Sequence, residues 1–438
     1  MRSEKKNYAL RITHYALVII LVFCASVSAL ELINANANSN RMEDGAIVST
    51  LSGNVEFLWN DTRIFSDKTI WRRGAGHLQM QGNIKVLRNK QELRCDTGDF
   101  RSNGRMLHLR GNVFAVDSNH SATMFAGSAD YSIDNDSVFL AQNPRIHFWD
   151  AASTDTITIF SQTMNYTSRT GIARAEKNVR VVGTDFTAFA DRGLYFAETE
   201  RAMLVGGRPR IEYLNEAVAS GDTIHIIFKN NTLTEFYVVG GRPQIDYLDQ
   251  SKVVGDTIRA MVENNAITEF YVVGGRPQID YLDQSSVVGD TIRAMVSNNT
   301  ITEFYVVGSP IGTTREEEAG DSVFMEMTGD TLRFLIGDGQ IDQIISERNA
   351  QIKRFRQGGE EQADKMWGSR ITTTLNCDNH DCGEGNNIMS VVSGDARAIY
   401  YDADMRNESA GDTLKLFFDD NGVSRVRILG RVKGRVEN

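Results

Sequence analysis

The sequence predicts an all-β protein: a long antiparallel sheet, creased along its length and built from repeats of about 29–34 residues. The first observation is repetition. Gly206-Gly207-Arg208-Pro209-Arg210-Ile211-Glu212-Tyr213 recurs nearly unchanged at Gly240 and Gly274, Gly-Asp-Thr-Ile recurs at Gly221, Gly255 and Gly289, and both series step by 34 residues. The copies at 240–273 and 274–307 differ only at Lys252/Ser286, Glu263/Ser297 and Ala266/Thr300. The second observation is turn chemistry. Asn264-Asn265 separates two β-rich runs, and Asn tolerates the left-handed backbone of a tight hairpin. Folding the chain there lays Gly255 against Gly274, as Gly221 meets Gly240 and Gly289 meets Gly308. Glycines facing each other across a hairpin mark a bend or a close backbone approach.

The third observation is an apolar ladder. Pairs of apolar residues two apart recur at Val55/Phe57, Ile84/Val86, Val113/Ala115, Ile146/Phe148, Val179/Val181, Ile211/Tyr213, Ile245/Tyr247 and Ile279/Tyr281, with steps of 29, 29, 33, 33, 32, 34 and 34 residues. The intervening residues are Glu56, Lys85, Phe114, His147, Arg180, Glu212, Asp246 and Asp280, all polar but one. Strand side chains alternate between faces, so each apolar pair faces inward and each charge faces water. Each rung follows a Gly-Asn, an Asn or a Gly-Gly-Arg-Pro, as in Gly53-Asn54, Gly82-Asn83 and Gly111-Asn112.

In chain order, residues 1–29 read as an export signal: Arg2, Lys5, Lys6 and Arg11 precede the apolar run Ala16–Ala29, and Val27-Ser28-Ala29 fits a cleavage site. Retention as an anchor is the alternative. Phe23 before Cys24 argues against lipid attachment there. Residues 30–50 read as a polar, frayed lead-in, and 51–308 as the repeat array. The hairpin of each 34-residue unit is expected to run on to a second turn near Gln284-Ser285. Residues 309–438 read as a degenerate continuation with loops near 309–320 and 357–387. Within it the pattern returns at Gly329-Asp330-Thr331, with turns at Gly337-Asp338-Gly339 and Asp420-Asn421-Gly422.

The net charge of −10 leaves no nucleic-acid footprint. No nucleophile elbow, metalloprotease motif or phosphate loop occurs, and near-identical tandem copies suit no single asymmetric active site, so no enzyme and no cofactor are expected. One Gly-Asp-Thr per 34 residues is too sparse for a calcium-binding roll and reads as a bend. Cys377-Asp378-Asn379-His380-Asp381-Cys382 lacks the spacing of a structural zinc site. In an exported chain a Cys377–Cys382 disulfide is favoured over free thiols or a metal. Cys95 reads as a small buried residue.

The Gly-Asn-Val strands, followed by Phe65-Ser66-Asp67, Ala129-Asp130-Tyr131 and Ala190-Asp191-Arg192-Gly193-Leu194-Tyr195, resemble the OstA-like (organic solvent tolerance), LptA-type family of periplasmic lipopolysaccharide-transport proteins. The resemblance is clearest over 45–215. It implies a β-jellyroll, or β-taco, open along one edge, with acyl chains in the crease and sugars and phosphates in water. On that reading Val55, Phe57, Ile84, Val86, Val113, Ala115, Ile146, Phe148, Val179 and Val181 contact lipid. The chain then acts in outer-membrane biogenesis from the periplasm, with association with the outer membrane as the alternative location. Its partners are lipopolysaccharide or a similar lipid, and other transport proteins or further copies packed end to end. The competing expectation is a β-solenoid structural or surface-adhesion protein whose apolar interior is closed. A β-helix enzyme is the third class, and the sequence carries no acid or base cluster for it.

Overall fold

The structure is a computed structural model describing residues 30–150, 154–318, 321–375, 377, 387–402, 405–419 and 422–437. Among these are 36 strands, three short 3-10 turns and no α-helix. The expected export signal at 1–29 and Cys382 lie outside the described residues. The chain divides into two compact units. One comprises the residues up to Phe148 together with Gln162–Ala173, the other Trp149–Ser161 with Arg174–Asn438.

In the first unit, Ala46–Trp59, Thr62–Arg72, His77–Arg88, Gln91–Arg101, Met106–Asp117 and Ala122–Ser132 form an antiparallel meander. Each strand is bent near its middle, and the cause is visible in the register. Ser52 faces Lys68 and Val55 faces Ser66, so Gly53 and Asn54 stand opposite Asp67 alone. Gly82-Asn83 oppose Asp96, and Gly111-Asn112 oppose Gly127, in the same two-against-one bulge. Gly and Asn of each dipeptide have positive φ, 77° and 44° at Gly82-Asn83. Two consecutive left-handed residues turn the strand sharply, and Gly and Asn are the residues that adopt this backbone at least cost. The bulges line up from strand to strand, so the sheet folds along one crease into two arms.

The second unit repeats this corner with different residues. Asp222 stands against Gly240-Gly241, Asp256 against Gly274-Gly275, and Asp330 against Arg348-Asn349. A Cβ on Gly241 would lie 2.1 Å from Asp222 Oδ1, and one on Gly221 would lie 3.1 Å from the Gly240 carbonyl, which explains the paired glycines. One arm carries four-residue strands such as Gln244–Tyr247 and Ser251–Val254, the other longer ones such as Thr257–Glu263 and Ala266–Val273. Successive units pair identically: Val238 faces Ile258, and Val272 faces Ile292.

Several expectations are met. The Asn230-Asn231, Asn264-Asn265 and Asn298-Asn299 turns are hairpins with positive φ throughout, and Asp338-Gly339 turns where expected. Others need correction. The lead-in is strand: Ala37–Glu43 pairs with Ala46–Ser52, leaving its polar side chains exposed. The 309–320 segment is not a loop, because Ile311–Glu318 pairs with Asp321–Thr328. Charged side chains there are compatible with a strand whose other face buries Thr314 against Met325 of the partner strand. The 357–387 loop is shorter than expected, since Asp364–Thr374 is a strand burying Met366 and Ile371. The second turn of the repeat spans 282–284, near Gln284-Ser285 as expected, with Tyr281 facing Ser285 across it.

Candidate functional site

In each unit the ladder residues point inward: Val55, Phe57, Ile84, Val86, Val113, Ala115, Ile146 and Phe148 in the first, and Val179 and Val181 in the second, all 0–3 % exposed. The residues between them face outward; Glu56 is bound by Arg63 on that outer face. Inward residues of the second arm, among them Leu51, Leu78, Phe100, Leu107 and Leu140, cover the ladder in the first unit. Aromatic rings meet edge to face across the crease, Phe57 with Trp71 at 5.2 Å and Trp59 with Phe100 at 5.6 Å. In the second unit Tyr247 meets Phe270 at 5.2 Å and Tyr281 meets Phe304 at 5.3 Å.

The two arms therefore touch. A cavity between them in the first unit, lined by Leu93, Ala115, Met124, Val138 and Tyr166, measures about 30 Å³. That is room for a water, not for a hydrocarbon chain. In the first unit a lipid can enter only if the arms part; in the second, a cavity of about 750 Å³ already lies between the rims, lined by Tyr281, Ser285, Thr314, Ile341, Leu375 and Ile388.

What holds them together at the rim, opposite the crease, is polar. On one rim lie Arg88, Gln91 and Asp117, beside the hairpin ends; on the other lie Tyr131, Ile133, Asp136, Tyr166 and Ser168. Arg88 Nη1 donates to the Ile133 carbonyl at 2.8 Å and lies 3.7 Å from Asp136 Oδ1. Gln91 Nε2 donates to Ser168 Oγ at 2.6 Å, and Tyr166 donates to Asp117 Oδ2 at 2.8 Å. Ser168 also donates to Asp117, and Tyr131 donates to Asp136 at 3.0 Å. Burial pushes the Tyr131 hydroxyl up to about 12 against the opposing pull of Arg88, and raises Tyr166, with Asp117 adding to the effect. The Arg88 guanidinium is also raised: burial alone would lower it, but bonds to Tyr131 and Asp61 outweigh that. These groups keep their protons through the neutral range, so the clasp persists there.

The second unit has its own rim contacts. Asp155 accepts from Thr184 at 2.8 Å and from Thr232 at 2.5 Å, on opposite rims. Asn299 donates to Glu216 Oε1 at 2.6 Å, and Tyr281 donates to the Gly339 carbonyl at 2.9 Å. The sequence reading missed the whole clasp. Its members sit up to 83 residues apart, and a polar residue at a strand end is commonplace; only the tyrosines ending inward-facing runs hinted at it.

Cys95 is buried and free, as expected, and burial pushes its thiol up to about 12. Cys377 is disulfide-bonded, while its expected partner Cys382 lies outside the described residues. Among the described residues no group of three metal-ligating side chains occurs.

No family model and no curated protein matches this sequence. A solved structure is similar over 28% of this chain and 91% of its own: LptH, the LptA homologous periplasmic component of the conserved lipopolysaccharide transport device from Pseudomonas aeruginosa. The identity is 13% and the TM-score 0.26. The all-β fold assignment rests on this chain's own ladders.

Proposed function

We propose that this chain is a non-enzymatic periplasmic carrier of lipopolysaccharide or a similar lipid in outer-membrane biogenesis, holding acyl chains between the arms of the crease. The observation that carries the reading is the asymmetry between crease and rim. At the crease the arms are joined by continuous backbone. At the rim of the first unit they are clasped by side-chain hydrogen bonds and the Arg88–Asp136 ion pair, laid over the apolar contact of the two arms. Such bonds contribute about 0.5–1.5 kcal/mol each, net. Burying hydrocarbon stabilises by about 0.8 kcal/mol per CH₂, so a chain of about ten carbons outweighs several clasp bonds. The arms also exchange apolar contact with each other for apolar contact with lipid. The expected partners are other lipopolysaccharide-transport proteins, or further copies, by end-to-end strand packing.

A second reading, a structural protein with a closed core, is favoured by the 0–3 % exposure of the ladder and by the smallness of the first unit's cavity. Photo-crosslinking separates the two. A photoreactive residue at Phe57, Val86 or Val113 captures lipopolysaccharide in the carrier, while one at Glu56 or Lys85, on the opposite face, does not. Lack of an adduct at every ladder position favours the closed scaffold.

A further inference from the structure

The outer face of the second unit carries a feature that the lipid reading does not use. On the long arm, Phe236 and Val238 are buried, which turns Tyr237 outward. The register then places Tyr237 opposite Arg259, Arg259 opposite Tyr271, Tyr271 opposite Arg293, Arg293 opposite Tyr305, and Tyr305 opposite Arg333. Six neighbouring strands thus present one straight stripe of alternating rings and guanidinium groups. Tyr271 and Tyr305 are 39% and 38% exposed. Each ring lies two strands from the next, about 9.6 Å at the ordinary strand spacing.

Every arginine of the stripe is neutralised from the neighbouring row. Arg259 pairs with Glu235; Arg293 holds Glu269 through two bonds of 2.6 and 3.1 Å; Arg333 holds Glu303 through two of 2.6 and 2.8 Å. The stripe is therefore locally uncharged and offers no attraction to a polyanion. Yet it exposes the Tyr271 and Tyr305 rings, and part of the Tyr237 ring, over which Arg259 lies 5.9 Å from the centroid, beside planar groups that still have N–H donors and carboxylate lone pairs to share. At one end it opens into a depression of about 220 Å³, walled by Tyr305, Glu303, Arg333, Glu347 and Arg370, where Arg370 and Glu347 are bonded at 2.8 Å.

We propose that this stripe binds a neutral linear glycan laid across the strands. The flat faces of its sugars stack on Tyr237, Tyr271 and Tyr305, and its hydroxyls bond the Arg–Glu pairs. The ring spacing is close to the length of one disaccharide in an extended β-linked chain, so each 34-residue unit would serve one disaccharide. Near-identical tandem units then have a physical purpose: they present one weak site at a fixed period to a ligand with the same period, and affinity grows with the number engaged.

The test uses the full chain with cellohexaose and chitohexaose, and the corresponding disaccharides, in isothermal titration calorimetry. At least one hexasaccharide should bind, tenfold or more tighter than its disaccharide. The Tyr237→Ala/Tyr271→Ala/Tyr305→Ala variant should weaken hexasaccharide binding by roughly tenfold or more, since stacking on each ring is worth a few-fold. The corresponding triple Phe variant should retain most of it. Deleting residues 240–273 should weaken the hexasaccharide and leave the disaccharide unchanged. The outward tyrosines do not line the crease, so lipid capture at Phe57 should be unaffected by the alanine variant. Failure of both hexasaccharides to bind overturns the proposal, as does binding that survives the triple alanine variant or a stripe that takes up heparin in their place.

Discussion

Asn112 Nδ2 donates a 2.8 Å hydrogen bond to Asp96 Oδ2 between neighbouring strands along the crease, and Asn83 makes the same bond to Asp67 one step earlier, also at 2.8 Å. In the second unit Asn349 repeats it with Asp330 at 3.0 Å. The Asn that adopts positive φ to bend its strand is thus also tied to the acid on the neighbouring strand. Bend and register are fixed by one pair of residues, and a slip of the ladder by one residue would break both.

The corner should be more sensitive than a turn with the same backbone. Gly45 and Gly82 both have φ of +77°, but a Cβ on Gly45 meets nothing within 4 Å, whereas one on Gly82 would lie 2.5 Å from Asp67 Oδ2. Gly45→Ala should cost about 1 kcal/mol from backbone strain alone. Gly82→Ala should cost at least about 1 kcal/mol more, because Asp67 must move and its bond to Asn83 is lost. Thermal melts of the two variants check this, and equal losses would contradict the role given to the corner.

Deleting residues 240–273 should leave a folded protein. The cut joins Val239 to Gly274, and Val239 faces Thr257 in the register in which Val273 faces Thr291, so the new interface copies the old one. Circular dichroism and a melting curve should retain the β signal and a cooperative transition. Deleting half a unit should abolish the transition, because it sets corners opposite strand interiors.

The C-terminal part of the second unit should lose stability as the pH rises. Burial raises the Asp364 carboxyl from 3.8 to about 6, against the opposing pulls of the Tyr401 amide and Arg354. The folded chain therefore holds this proton more tightly than the unfolded one. The stabilisation is complete below about pH 4 and is lost as the pH rises through 6, an effect of about 3 kcal/mol. Urea unfolding between pH 4 and 7 should show the decline in the parent protein and a flatter profile in Asp364→Asn. Identical profiles would contradict the assignment.

Much of this architecture was legible because its causes are local. Asn-Asn turns, Gly-Asn bends and alternating apolar pairs each act within a few residues, and repetition made each signal visible several times. The Ile311–Glu318 strand was not legible, because Arg315-Glu316-Glu317-Glu318 reads as a solvated run, and only the partner strand shows that Thr314 on its other face is buried. The lead-in misled for the same reason. Of the candidate site, the ladder was legible residue by residue. Contacts such as Gln91 with Ser168 and Asp117 with Tyr166 join segments 77 and 49 residues apart, and no periodicity reports them. Whether the second arm covers the ladder also depends on the fold angle at the crease, which hydrophobic alternation does not encode.

The central claim is that the arms part to admit lipid, and the most direct measurement is the distance between the rims. Lys90 and Arg169 are exposed and lie on opposite rims of the first unit, next to Gln91 and Ser168 of the clasp. Spin labels at Lys90→Cys and Arg169→Cys, in a Cys95→Ser background, allow pulsed electron–electron resonance with and without lipopolysaccharide. The account predicts one short distance in the free protein and a longer one, by at least several ångströms, when lipid is bound. A distribution that does not move at saturating lipopolysaccharide would contradict it and leave the crease a closed core.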